Sequence, residues 1–255
     1  MISRYNVWLN DVSLSEINPD IYVANVSYQP SAVSIDVVNH ARQDGQYSGV
    51  MRSIKNNRIV VQFMVRTYDT VGRQSIVQDV IGWVGKGGWL KCSDRLGQKI
   101  YVKPSKLPAV SSVMGWTDVL TIEFTAYDYP FWLSENENKV VLASGSDSSL
   151  FLAGVWDSFA EVEIVANAAV TSLTVVVGDS SITLNGLNLA SGDVLTISYT
   201  DEHHIMEIKS NGVSLINKRT AGSADDLIVN PGSNSVSFTA SGDATCTLKV
   251  REVRL

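Results

Sequence analysis

Between Trp116 and Glu137 the stretch WTDVLTIEFTAYDYPFWLSENE places the tightest constraint on the fold. Leu120, Ile122, Phe124 and Ala126 alternate with Thr121, Glu123 and Thr125, the period of two expected of a strand with one buried face. Tyr129, Pro130, Phe131 and Trp132 then stop it, because proline cannot donate to a sheet ladder and the rings beside it must pack nearby. A polar run follows. The segment closes one β-rich module and opens a second without supplying a reactive group, so the chain reads as two domains, 1–138 and 139–255.

The front module carries further strand patterns at Ile21 to Tyr28 and Ile59 to Thr67; in the latter Ile59, Val61, Phe63 and Val65 share one face. Between them Asn39 to Gly49 is polar and contains glycine, which predicts a projecting loop or hairpin. One helix is expected. Asp69 or Thr70 can cap it, Ile76, Val77, Val80, Ile81 and Val84 recur at helical spacing, and Gly85 ends it. Downstream, Gly85 to Pro104 predicts a turn, a short strand around Trp89 to Cys92, a turn at Asp94 to Gly97 and a strand through Ile100 to Val102. This module is thus expected to be α+β, a sheet carrying a single helix.

From Val140 the texture changes to short strands separated by turn signals, the pattern of an all-β sandwich. Val162 and Ile164, then Leu173, Val175 and Val177, then Ile182 and Leu184, then Leu195, Ile197 and Tyr199 mark successive inward faces. Asn211-Gly212, flanked by MEIKS and VSLIN, predicts a type I′ hairpin. Later turns are expected at Pro231-Gly232 and Ser241-Gly242-Asp243, before a last strand at Cys246 to Val250. The Ser/Gly/Asp stretch Ala143 to Ser149 reads equally as a hinge or as a loop within the second domain.

The 255 residues suffice for two cores, and the two cysteines, Cys92 and Cys246, one in each half, read as reduced thiols rather than a disulfide framework. Charge is uneven: residues 1–142 hold 14 Lys/Arg against 13 Asp/Glu, and 143–255 hold 6 against 13. Neither half offers the basic stripe that gripping phosphates requires, so sequence-specific nucleic-acid binding is not expected. The opening MISRYNVWLN has no basic region leading into an apolar core, and no apolar run approaches membrane-spanning length; the expectation is cytoplasmic synthesis and no membrane partner. Asn25-Val26-Ser27 has the form of a glycosylation sequon but sits in a strand-like segment of a chain without a secretory signal.

Candidate chemistry is sparse. Asp201-Glu202-His203-His204 has ligand-type residues, but neighbours on extended chain point to opposite faces and a polar loop is the simpler reading. Asp225-Asp226 lacks the further spaced carboxylates of a calcium loop. In Gly82 to Trp89, Lys86 precedes Gly87 rather than Ser or Thr, so the loop ends a helix and does not cradle phosphate. His40, with Asp36 and Asp44 nearby, has no evident nucleophile to serve. No catalytic residue, metal or cofactor is therefore assigned. Trp83, Trp89, Trp116 and Trp132 lie beside apolar segments and suit core or interface packing, whereas Trp156 with Phe159 is the aromatic pair in the sandwich with a possible role facing a ligand, which leaves a carbohydrate-binding module as the alternative function.

Taken in order, the strand IVVQFMVRT, the helical IVQDVIGWV, the stretch WLKCSDRLGQKIYVKPSKLP, WTDVLTIEFTAYDYPFW and a sandwich containing LIVNPGSNSVSF resemble the distal tail protein (Dit) family of long-tailed bacteriophages and related prophage tail components. Ser93 to Val102 is similar to the family's Asp-Arg turn before a strand, and YDYPFW to the aromatic end of its ring domain. The resemblance covers essentially the whole chain. It implies a galectin-like or jelly-roll C-terminal sandwich and a homo-hexameric ring at the distal end of the tail, made in the host cytoplasm and carried in the virion baseplate. It also implies contacts with the tail tube protein and the tail-associated hub protein, with DNA passing through the lumen. The sandwich would then present receptor-binding or other baseplate proteins, or touch a host-surface glycan, and no enzyme activity is implied. A closed ring needs two different complementary patches on each protomer, and a front half with balanced charge and five of the six tryptophans suits such contacts.

Overall fold

The computed structural model describes residues 5–254 apart from 31–32, 40–45, 55, 67–69, 110–117, 128 and 155. Two compact units emerge, one running to Trp132 and the other from Leu133 to Arg254, so residues 133–138 lie in the second unit. The chain is mainly β, with antiparallel sheets and one long helix.

The first unit contains β1 (Val7–Leu9), β2 (Val12–Ser13), α1 (Leu14–Ile17), β3 (Ile21–Pro30), β4 (Val33–Asn39), β5 (Gln46–Ile54), β6 (Asn57–Val65), α2 (Thr70–Val84), β7 (Gly88–Cys92), β8 (Gln98–Lys106) and β9 (Asp118–Ala126). The strands β3, β6 and β9 run side by side, with Ile59 opposite Phe124, Val61 opposite Ile122 and Phe63 opposite Leu120. Paired residues share a face, so these six side chains line one core, joined there by Ile76, Val77, Val80 and Val84 of α2. Strand β8 serves two ladders in succession: Ile100–Val102 pair with β7, which continues to β1 and β2, and Lys103–Lys106 pair with β9. The register slips between Pro104 and Lys106, where a residue without an N–H can be accommodated.

Of the stretch Asn39–Gly49, Asn39 and residues 46–49 belong to paired strands. β4 and β5 pair from Val33↔Ile54 to Asn39↔Gln46 as a separate two-stranded sheet, and His40 and Asp44 lie outside the described residues. The helix α2 ends as expected: Gly85 adopts φ +47° and its N–H reaches Ile81 O at 3.0 Å. Asp69, one proposed cap, is outside the described residues. The single-turn α1, which the alternation pattern did not announce, is closed by a capping box in which Ser13 Oγ accepts from Glu16 N–H and the Glu16 carboxylate accepts from Ser13 N–H.

The second unit continues with β10 (Trp132–Ala143), β11 (Ser146–Leu152), β12 (Ser158–Ala166), β13 (Val170–Val177), β14 (Ser180–Leu189), β15 (Val194–Tyr199), β16 (Met206–Ser210), β17 (Val213–Ser214), a 3-10 turn (Ile216–Lys218), β18 (Ile228–Val229), β19 (Gly232–Ala240) and β20 (Ala244–Arg254). One sheet has the order β17-β16-β15-β12-β20-β10, the other β11-β19-β13-β14. Val162, Ile164, Leu195 and Ile197 of the first join Leu173, Val175, Val177, Ile182, Leu184 and Phe238 of the second in one core, a two-sheet sandwich. Tyr199 sits at its margin, partly buried.

Ala143–Ser149 is no hinge. Ser144 and Gly145 carry the chain from one sheet to the other, their N–H groups bonding Ala244 O (3.1 Å) and Phe238 O (2.9 Å), and Ser146–Ser149 already belong to β11. Asn211 and Gly212 adopt φ +48° and +81°, as the hairpin turn demands. Only Val213 and Ser214 of VSLIN form a strand; after Leu215 N–H bonds Ile208 O the chain curls into the 3-10 turn. The Pro231-Gly232 turn is built around buried Asn234, whose amide donates to Asn230 O (2.7 Å) and accepts from Asn230 N–H (3.2 Å).

Candidate functional site

In the first unit the polar groups converge on the turn Ser93–Gly97. Strand β7 delivers Cys92, and the turn after it lies against the approach to β1, where Asn6 N–H donates to Ser93 Oγ (2.8 Å) and Ser93 N–H to Asn6 O (3.1 Å). Asp94 accepts from Tyr28 O–H at 2.6 Å and from Tyr5 O–H, the two phenols lying 3.2 Å apart. The Arg95 guanidinium lies 4.5 Å from the Tyr28 ring centroid and 4.7 Å from that of Trp132, and these rings meet edge to face at 5.7 Å. A cation held between two aromatic systems ties the turn to the end of the unit. The two sequence stretches that carried the resemblance, the Asp-Arg turn and YDYPFW, are thus in direct contact through Arg95 and Trp132.

The electrostatics of this cluster oppose reactivity. Burial, then the bond to Asp94, raises the pKa of both Tyr5 and Tyr28 above the ordinary phenol value. Burial pushes the Cys92 thiol up to about 12, so the thiolate a nucleophile or metal ligand requires is suppressed, and Cys246 is raised to about 12 by the same cause. The cluster fastens four segments together, residues 5–6, β3, the turn and Trp132, and holds its phenols and thiol protonated.

Trp83 and Trp89 of this unit are engaged in packing. Trp83 donates through Nε1 to Val12 O (2.9 Å) and meets Phe124 edge-on, while Trp89 meets Tyr101 edge-on and carries the Lys99 ammonium 4.2 Å from its ring centroid. Trp116 lies outside the described residues. The glycines after α2 answer to close neighbours: a Cβ on Gly87 would fall 2.1 Å from the backbone oxygen of Val102, and one on Gly88 2.1 Å from the side-chain Oδ1 of Asn10.

In the sandwich, Phe159 is half-buried and its ring lies 5.1 Å from Tyr199 and 4.5 Å from His204, which itself stacks on Tyr199 at 4.7 Å and 8°. Tyr199 Oη accepts from Leu227 N–H at 3.0 Å. Trp156, also half-buried, precedes β12. The partners shown for the Phe159 ring are Tyr199 and His204, which come from β15 and the following loop and which linear spacing does not disclose. The adjacent imidazoles occupy different environments, His203 Nε2 standing 3.4 Å from Glu202 Oε1 while His204 faces the aromatic rings. Asp225 pairs with Arg219 at 3.0 Å, and among the described residues no three His, Cys, Asp or Glu groups gather as a metal site.

Burial holds the His204 imidazole down at about 4, against a weaker upward pull from Asp201. The folded state therefore favours the neutral ring. Its contribution to stability is complete above the unfolded value near 6.5 and is lost as pH falls from there through about 4, because the unfolded chain binds the proton first. Urea unfolding should show the second unit losing about 3 kcal/mol over that interval. His204→Asn, which tolerates the positive φ of +51° at this position, should flatten the dependence. An imidazole NMR titration midpoint near 6.5 in the folded protein would contradict the assignment.

Together, these features define a two-unit, mainly β chain whose densest side-chain clusters join backbone segments. Among the described residues, no helix is long and apolar enough to cross a membrane. No family model matches the sequence, and neither does any curated protein. Among solved structures the chain is similar to the Dit protein (gp 19.1) of SPP1, described as a paradigm of the hub adsorption apparatus in phages infecting Gram-positive hosts, with a TM-score of 0.72 and 14% identity over 99% of this chain and 100% of that one. It is also similar to a chain of the phage P2 baseplate in its activated conformation with Ca (TM-score 0.55, 11% identity, 99% and 98% covered). A chain of the phage p2 baseplate with Sr gives 0.54 and 11%, with 98% and 97% covered. The Dit fold thus extends along the full length of the chain.

Proposed function

We propose that this chain is a structural hub of a phage distal tail or baseplate. In this reading the first unit assembles with copies of itself into a closed hexameric ring that joins the tail tube to a tail-associated hub protein and lets DNA pass through its lumen. The second unit, a galectin-like lobe, projects outward to present receptor-binding or baseplate proteins. The protein is made in the host cytoplasm, ends in the virion, and its work is mechanical joining rather than catalysis.

The observation that carries this reading is the end-to-end correspondence of both units with SPP1 Dit. Balanced charge in residues 1–142 suits packing against copies, whereas the excess of acid in 143–255 keeps neighbouring lobes apart. The carbohydrate-binding alternative has less to rest on, because Phe159 already packs against Tyr199 and His204. Mass measurement and electron microscopy of the purified chain, alone and mixed with the tube and hub proteins of the same virion, should yield six-fold rings. Monomers under every one of those conditions would end the proposal.

A further inference from the structure

We infer that the open edge of β11 is a docking strand, which takes an extended segment of a partner protein by sheet extension. The inference rests on the reading of the second unit as a lobe that presents partners, and it names the element that does so.

The sandwich treats its strand edges differently. Next to β14 the chain returns as residues 219–224, with Thr220 N–H bonding Thr183 O (2.9 Å), Ala224 N–H bonding Ser181 O (2.8 Å) and a bridge between Leu184 and Arg219. The strand β17, at the end of the other sheet, is two residues long. Short or covered edges are how proteins avoid unwanted strand pairing. Strand β11 has neither protection. It pairs with β19 without a slip from Ser146↔Phe238 to Leu152↔Gly232, and among the described residues no strand lies on its other side. Its sequence, SDSSLFL, contains no proline, lysine or arginine, and its one charge is Asp147.

The side chains beside this edge fit a strand-shaped ligand. Phe151 is 66% exposed on the outer face, in line with Asp147 and Ser149, and opposite them on β19 stand Ser233, Ser235 and Ser237. This is a surface of small hydroxyls with a single aromatic anchor. An added strand would gain main-chain hydrogen bonds from the edge, an apolar contact from Phe151 and a charge preference from Asp147. Charge also selects the occupant. A second copy would bring another acidic lobe, whose residues 143–255 hold 13 acidic side chains against 6 basic ones, whereas a strand that is neutral or carries a lysine opposite Asp147 meets no such repulsion.

The test uses the full chain and two synthetic peptides of nine residues, alternating threonine and valine with one central lysine, the second peptide N-methylated on the amides of one edge. At millimolar concentration the first peptide should slow amide exchange in β11 about tenfold, and the methylated one should not. Ser149→Lys and Phe151→Lys, both at exposed positions, should abolish the slowing without changing exchange elsewhere. No slowing in β11, or equal slowing by the methylated peptide, would overturn the inference. So would slowing on concentrating the protein alone, which would give the edge to a second copy. Assembly mass of the chain mixed with the tube and hub proteins separates the two proposals: peptide protection in a chain that stays monomeric even with those partners would sink the hub and leave the docking strand standing.

Discussion

Replacing Trp132 with alanine should lower the stability of the first unit by about 3–5 kcal/mol, the range for deleting a fully buried large aromatic side chain. Among the described residues Trp132 is the largest fully buried side chain; its ring is met edge-on by Tyr28, and the Arg95 guanidinium lies against both. Truncation leaves a cavity and removes one of the two rings that accommodate the cation. Trp132→Phe should cost much less. The indole Nε1 is buried and makes no hydrogen bond among the described residues, so phenylalanine forfeits volume but none of the described polar partners. Denaturant unfolding read together with amide exchange on β6 and β19 would separate the two units. A loss under about 1 kcal/mol in β6, or an equal loss in β19, would show that the Arg95 and Trp132 contact is not what secures the end of the first unit.

That contact illustrates what the sequence discloses and what it does not. Both halves of it were visible as local motifs, SDRLGQ and YDYPFW, yet only the folded chain shows that Arg95 reaches Trp132. Strands such as β6 and β9 were legible because one face is buried and the other is not, so apolar residues recur every second position. The helix α2 was legible for the corresponding reason at its own period. Strand β11 escaped because its first four residues, Ser146 to Ser149, are all hydroxyl or acid and its inward apolar residues, Leu150 and Leu152, come only at its end, which left the start of the strand indistinguishable in composition from a linker. The helix α1 is too short for any periodicity, but Ser13-Leu-Ser-Glu16 is a capping-box pattern and was the available signal. The triad of Phe159, Tyr199 and His204 had no such signal, because it depends on the register of β12 against β15 and on the path of the loop after it.

Gly87→Ala should destabilise the first unit by about 3 kcal/mol or more, from a strained backbone and an overlap that no rotamer can relieve. Gly87 has φ +88°, a conformation that residues with a Cβ rarely adopt, and that Cβ would fall 2.1 Å from Val102 O and 2.9 Å from Lys103 Cα. Both obstacles are backbone of β8, so relief requires moving the strand against which β7 pairs. A glycine a few residues upstream provides the opposite expectation. Gly82 lies within α2, is exposed, and a Cβ there meets nothing within 4 Å, so Gly82→Ala should raise stability by about 0.5–1 kcal/mol through helix propensity. Thermal unfolding of the two variants should therefore move in opposite directions from the parent. If Gly87→Ala proved neutral, β8 would have to pass farther from the α2 to β7 connection than the 2.1 Å approach requires, and the glycines of GWVGKGGW would need a reason other than proximity.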